Sequence, residues 1–130
     1  IANRVEPGKR PRSSMSPTLV FDKATGQLLA STGSPGGAFI IHFTAKTLVG
    51  MLNWGLNAQQ AINLPNFGTL GGPLMLEDSR FAPATVLALQ ARGHTVVQAP
   101  LPSGLQAIER TETGYFGGAD PRREGVVLGD

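Results

Sequence analysis

Segment 38–55, AFIIHFTAKTLVGMLNWG, constrains this chain more than any other stretch. Its periodicity predicts a helix. Ile41, Ala45, Leu48 and Leu52 share one face, while Ile40, Thr44, Thr47, Met51 and Trp54 lie on another. His42, Lys46 and Asn53 make only a narrow polar stripe. A helix apolar over most of its circumference has to be covered on more than one side, so it predicts a layered fold. Composition agrees. Only 15% of the residues are charged, against about 25% in ordinary soluble domains. Such a chain needs buried surface on several sides, or a partner.

The remaining segments supply the other layers. Residues 1–16 are polar and punctuated by Pro and Gly, and read as an extended arm. PTLVFD and QLLAST are strands joined by the turn KATG, with Gly26 suited to positive φ. Asn57 caps a short helix, AQQAINL, which Pro65 ends. NFGTL and PLMLED read as short strands around Gly71, Gly72 and Pro73. APATVLALQARG is a helix with Gly93 at its C-terminal cap. HTVVQA is a strand, and LQAIER, TETG and YFGGAD form a last hairpin. The predicted order is strand, strand, helix, helix, strand, strand, helix, strand, strand, strand. That is an α+β chain of mostly antiparallel strands, and its 130 residues suit a single domain, 1–130.

Several function classes drop out. The chain has no cysteine, which removes disulfides, thiolate metal sites and cysteine nucleophiles. Two histidines and scattered carboxylates show no metal-ligand spacing. Asp78, Asp120 and Glu124 read as turn or salt-bridge residues. The net charge of +2 is too small to argue for nucleic acid, although Arg4, Lys9, Arg10 and Arg12 crowd the N-terminus against Glu6 alone. No apolar run reaches the roughly 20 residues of a membrane span. The opening IANRVEPGKRP does not read as a signal peptide and reads as a piece cut from something longer.

Two loops carry candidate chemistry. In STGSPGGAFI, Gly36 and Gly37 stand immediately before the long helix. Glycines there expose backbone N–H groups at the positive end of the helix dipole and can hold a phosphate, a carboxylate or an oxyanion. They can equally serve a tight strand-to-helix turn. No Gly-Lys-Ser/Thr follows, so this is not a nucleotide P-loop. Upstream, PRSSMSP places Ser13, Ser14 and Ser16 in a loop, where hydroxyls can hold a carboxylate or cap a turn. A serine nucleophile would need a base. The available histidines, His42 inside the helix and His94 after a helix cap, lack a triad context.

Taken together, NRVEPGKRPRSSMSPTLVF, TGSPGGAFII and the later GGADPRR resemble the C-terminal part of the small subunit of γ-glutamyltranspeptidases. Related cephalosporin acylases share much of the pattern. The resemblance implies an N-terminal-nucleophile hydrolase with a four-layer αββα sandwich, of which this chain would be part. In that family a precursor cleaves itself, and the new N-terminal threonine attacks a γ-glutamyl amide such as that of glutathione. The acyl group then passes to water, an amino acid or a peptide. By the same resemblance Ser13 and Ser14 bind the glutamyl α-carboxylate, and Gly36 and Gly37 form the oxyanion hole. No cofactor is implied; a bacterial periplasmic or secreted location is, with a cytoplasmic one left open. The nucleophilic threonine, the N-terminal part of the small subunit and the large subunit lie outside this sequence. The isolated chain is therefore expected to be inactive, and to self-associate through its uncovered faces. Arg12 stands before the serine pair where the family more often has an apolar residue, which leaves a different acyl group open. The alternatives are an acylase for β-lactam side chains, and a non-catalytic module whose glycine loop holds an anion.

Overall fold

The computed structural model describes residues 4–10 and 14–129. Elements follow in the predicted order: β1 (Thr18–Phe21), β2 (Leu28–Gly33), α1 (Ile40–Trp54), α2 (Ala58–Asn63), β3 (Phe67–Gly68), β4 (Leu74–Glu77), α3 (Pro83–Ala91), β5 (Val96–Ala99), β6 (Gln106–Arg110) and β7 (Tyr115–Ala119). A 3-10 turn at Gly37–Phe39 leads into α1. Local side chains set several boundaries. In the β1–β2 turn, Asp22 Oδ1 accepts from the N–H groups of Ala24 and Thr25 at 3.0 and 2.7 Å. Gly26 closes that turn at φ 69°. At the start of α2, Asn57 accepts from Gln60 N while the Gln60 side chain accepts from Asn57 N, a reciprocal capping box. Gly55 ends α1 in the left-handed region.

The strands form two sheets. One has the order β1-β2-β6-β7 and is antiparallel throughout. Here β2 pairs with β6 from far along the chain, with Gly33 opposite Gln106. The other sheet has the order β3-β4-β5. The sequence suggested antiparallel hairpins, yet β4 and β5 run parallel. The reason is α3: a helix between two strands of one sheet carries the chain back to the starting end, so the second strand repeats the direction of the first.

The register assigns the faces of the four-stranded sheet. One row runs Thr18, Thr32, Ala107, Gly118 and faces the helices. A Cβ on Gly118 would stand 2.8 Å from Gln59 N, so α2 rests directly on β7. Ala58 N donates to Glu109 Oε1 at 2.9 Å, and the Gln59 side chain bonds both the N–H and the carbonyl of Ala119. Phe43, Ala58, Ile62, Leu101, Leu105 and Ala107 form the core between these layers. The opposite row is Leu19, Ser31, Ile108, Gly117. It exposes Leu19 and Ile108 and is crossed by Val127, whose Cγ1 lies 2.5 Å from where a Gly117 Cβ would stand.

The orientation of α1 corrects the sequence reading. Phe43, Thr44, Lys46, Thr47 and Gly50 are the buried residues, while Ile41 and Leu52 of the apolar face are exposed. Two contacts fix this. Gly50 lets α2 approach so closely that a Cβ there would lie 2.9 Å from the Ala61 Cβ. Lys46, from the supposed polar stripe, turns inward and its Nζ donates to Ile62 O and Leu64 O at 3.0 and 2.9 Å. These carbonyls belong to the end of α2, where intrahelical donors run out. Arg122 reaches the same two carbonyls at 3.2 and 3.0 Å, and also binds Glu77 and Asp120.

Burial pushes the Lys46 ammonium down from 10.5 to about 8, and the nearby Arg122 charge adds to this. The folded protein then binds fewer protons than the unfolded chain between those two values, so this group's contribution to stability rises with pH in that window. The neutral amine still has two N–H donors for its two carbonyls. Relative to a Lys46→Gln variant, the protein should gain stability as the pH rises from about 8 to about 10.5, approaching about 3 kcal/mol at about 1.4 kcal/mol per unit. Denaturant titrations of both proteins across that range check this; a difference independent of pH would contradict it.

Candidate functional site

The site is built where β2 leaves its sheet. After Gly33 the chain runs through Ser34 and Pro35 into Gly36, at φ 145° and ψ 17°, and Gly37, at φ 60°. The two glycines are required for different reasons. A Cβ on Gly36 would stand 2.5 Å from Cε2 of the core residue Phe43. A Cβ on Gly37 would meet no atom within 4 Å, so only the left-handed backbone demands glycine there. Phe39 N donates to Gly36 O at 3.3 Å, which holds the peptide that carries the Gly37 N–H. Among the described residues, no acceptor takes the N–H of Gly36 or of Gly37. Both lie at the entrance to α1, whose first turn contains no acidic residue. Two unpaired N–H groups at the positive end of a helix make an anion site without a side chain.

The serine loop lies beside this turn. Ser13 falls outside the described residues. Ser14 is half-buried, in the loop leading to β1. Ser16 Oγ donates to Thr44 Oγ1 on α1 at 3.1 Å, tying the loop to the same helix that the glycines introduce. Pro17 Cα is 3.8 Å from the Cβ position of Gly33. A groove of about 590 Å³ runs past Pro17, Gly33, Ser34 and Pro35, with Gly104 and Val127 in its walls. The structure thus brings the Ser16–Pro17 segment against α1 and Gly33, where the glycine loop begins.

The histidines have other duties. His42 Nε2 accepts from Thr69 N at 3.4 Å, and its ring packs against Phe39 and over Gly68. His94 is exposed. Among the described residues neither hydrogen-bonds a serine, and no group of three or more His, Cys, Asp or Glu is placed to hold a metal.

The sequence reading missed a buried support beneath the loop. Asp120 is 1% exposed. Its Oδ2 accepts from the Ser103 hydroxyl and from Leu105 N, and its Oδ1 from Arg122. Burial raises its pKa, but these hydrogen bonds prevail and hold the carboxyl below its usual range. Glu77 is depressed in the same way, by Arg122 and Asn66 N against the cost of burial. Arg122 is correspondingly held above its ordinary value, its carboxylate partners outweighing burial. Arg123 Nε donates to Ser103 O at 3.1 Å. Gly104 N, next in the chain, donates to Ser34 Oγ at 3.1 Å. Asp120 is therefore a salt-bridge residue, as read, and also the anchor of segment 101–105. The cluster of charge in ADPRR directly after a strand was the available signal.

Comparison with known proteins places this geometry. The family model for gamma-glutamyltranspeptidase matches residues 1–130. The glutathione hydrolase proenzyme of Escherichia coli K12 is 38% identical over 93% of this chain, which spans 21% of that relative. The acylase ACY 1 proenzyme of Pseudomonas sp. strain SE83 is 33% identical over 88% of the chain, which spans 20% of it. The chain thus covers about a fifth of the length of these curated relatives. The crystal structure of the T380A mutant of Helicobacter pylori gamma-glutamyltranspeptidase superposes with a TM-score of 0.81 at 30% identity, covering 94% of this chain and 68% of that one. The α+β layers, the glycine loop at the head of α1 and a family match over the full sequence lead to one conclusion: this chain belongs to the gamma-glutamyltranspeptidase family.

Proposed function

We propose that this chain is the C-terminal part of the small subunit of a γ-glutamyltransferase or glutathione hydrolase, supplying carboxylate binding and the oxyanion hole. Its partners are the large subunit and the N-terminal part of the small subunit, which carries the nucleophilic threonine. The observation that supports this most is the pair of N–H groups at Gly36 and Gly37, free of acceptors among the described residues at the entrance to α1. The threonine hydroxyl attacks the γ-glutamyl carbonyl, and the carbonyl oxygen becomes an oxyanion. Donors aligned on that oxygen stabilise it more than they stabilise the planar amide. Collapse expels the amine and leaves an acyl-enzyme. Water or an acceptor amine then repeats the sequence through a second oxyanion at the same place. Ser13 and Ser14 hold the substrate α-carboxylate, which is charged throughout. A periplasmic or secreted location accompanies this reading of the family.

An acylase for β-lactam side chains is the second reading, favoured by the match to the Pseudomonas acylase. Release of a chromogenic amine from its γ-glutamyl amide by the intact parent protein, with a β-lactam acyl donor run in parallel, separates the two. A parent that processes only the β-lactam donor overturns the first.

Two substitutions in the intact parent test the roles. Gly37→Val should cut kcat by about 10²–10³, the cost of losing one oxyanion donor, while the protein remains folded. The left-handed backbone makes the valine lower stability by about 1–3 kcal/mol on either reading; if the glycine served only the turn, activity per folded molecule would stay intact. Thermal melting and kcat measured on the same preparation distinguish these outcomes. Ser14→Ala removes a hydrogen bond to a charged group, about 1.5–3 kcal/mol, equally from ground and transition states. It should therefore appear mainly as a raised KM. A collapsed kcat at unchanged KM would assign Ser14 to chemistry or maturation instead.

A further inference from the structure

The geometry points to Ser34 as a positioning residue that aims the Gly36 N–H at the oxyanion; this rests on the oxyanion reading of the glycine loop. The Ser34 hydroxyl has a single proton, which it donates to Pro35 O at 2.7 Å. Its oxygen in turn accepts from Gly104 N at 3.1 Å. A serine hydroxyl is otherwise a free rotor, and the incoming Gly104 N–H occupies a lone pair and turns the proton toward the carbonyl.

Pro35 O and Gly36 N–H belong to one peptide unit. No peptide bond among the described residues is cis, so the two groups lie in one plane and point in opposite directions. Fixing the carbonyl oxygen therefore fixes the line of the N–H. The plane would otherwise be loosely held. Gly36 sits at φ 145°, in a region that glycine occupies with little steric guidance. The Gly37 N–H does not need this device, because the Phe39 N–H already holds the Gly36 carbonyl. The two donors are thus oriented by separate hydrogen bonds, one from the 3-10 turn and one from Ser34.

Gly104 is itself immobilised. A Cβ there would stand 2.7 Å from Pro35 Cγ and 2.7 Å from Arg123 Cδ. Its neighbours Ser103 and Leu105 are both bonded to the buried Asp120 carboxylate. The order of dependence runs from Asp120 to segment 103–105, then to the Ser34 hydroxyl, the Pro35–Gly36 peptide and the donor.

The test is Ser34→Ala in the intact parent enzyme, with γ-glutamyl amide hydrolysis and thermal melting followed together. The expected result is a kcat lowered about 10- to 100-fold, below the loss from abolishing a donor outright, with KM changed less than about threefold. Ser34→Thr, which keeps a hydroxyl, should restore most of the rate. If the alanine variant does not mature, Ser34→Cys is read by the same criteria, since a thiol of similar size is a weak donor. A Ser34→Ala or Ser34→Cys enzyme that melts earlier yet turns over at the full rate, or that changes KM alone, overturns the role of Ser34. Gly37→Val measured beside it separates the two levels: a crippled Gly37→Val with a fully active Ser34→Ala removes only the positioning role, whereas full activity in both removes the oxyanion reading as well.

Discussion

The last carbonyls of α2 hold this structure together. Ile62 O and Leu64 O receive donors from both Lys46 on α1 and Arg122 after β7. Arg122 continues to Glu77 on β4 and to Asp120, so a single guanidinium joins the helical layer to both sheets. These charges are almost removed from water: the Arg122 side chain is 9% exposed, Glu77's is 11% and Asp120's is 0%. Removing one member of such a set leaves the others unpaired, at a cost of about 3–5 kcal/mol. Replacing the whole set with apolar groups can cost nothing. The arrangement is better understood as fixing which surfaces meet. An apolar core of Phe43, Ile62 and Leu105 would tolerate sliding of α2 over the sheet. Two cations aimed at two specific carbonyls do not.

Much of this was legible in the sequence, and the exceptions share a cause. Element order, the Asn57 cap, the Gly26 turn and the glycine loop are local, because each is decided by residues within a turn or two. The pairing of β2 with β6 is decided by a partner far along the chain, the parallel β4–β5 pair by the helix α3 between them, and the inward turn of Lys46 by carbonyls 16 and 18 residues on. Periodicity finds that a helix has faces; it does not say which face is needed. Here the demand comes from unpaired carbonyls on another helix, and from Gly50, which allows α2 to sit too close for any other residue. For the site, the glycines were readable as bare backbone before a helix. Ser34 was not, since its partner Gly104 lies 70 residues on; Asp120 was readable as a salt-bridge residue, but not as the anchor of Ser103 and Leu105, 17 and 15 residues before it.

Within the loop, adjacent glycines are required for different reasons. Gly36 makes room for Phe43 and would be needed in a protein with no activity at all. No atom lies within 4 Å of where a Gly37 Cβ would stand, so packing does not demand glycine there and only the left-handed backbone does. Local rules are most often broken at functional positions, and this loop breaks them twice, once for packing and once without a packing reason.

The register that sets Gly33 opposite Gln106 has a consequence for synthesis. During translation β2 has only β1 beside it until β6 has been made, 73 residues later by the difference of those two positions. At about 5–20 residues per second, that interval is about 4–15 s. Throughout it the nascent chain carries an open strand edge and an apolar α1 whose packing surface is incomplete. Such a hairpin is a template for pairing with any other strand in reach. Until residue 106 has emerged, the edge of β2 that β6 will cover stays open to such pairing.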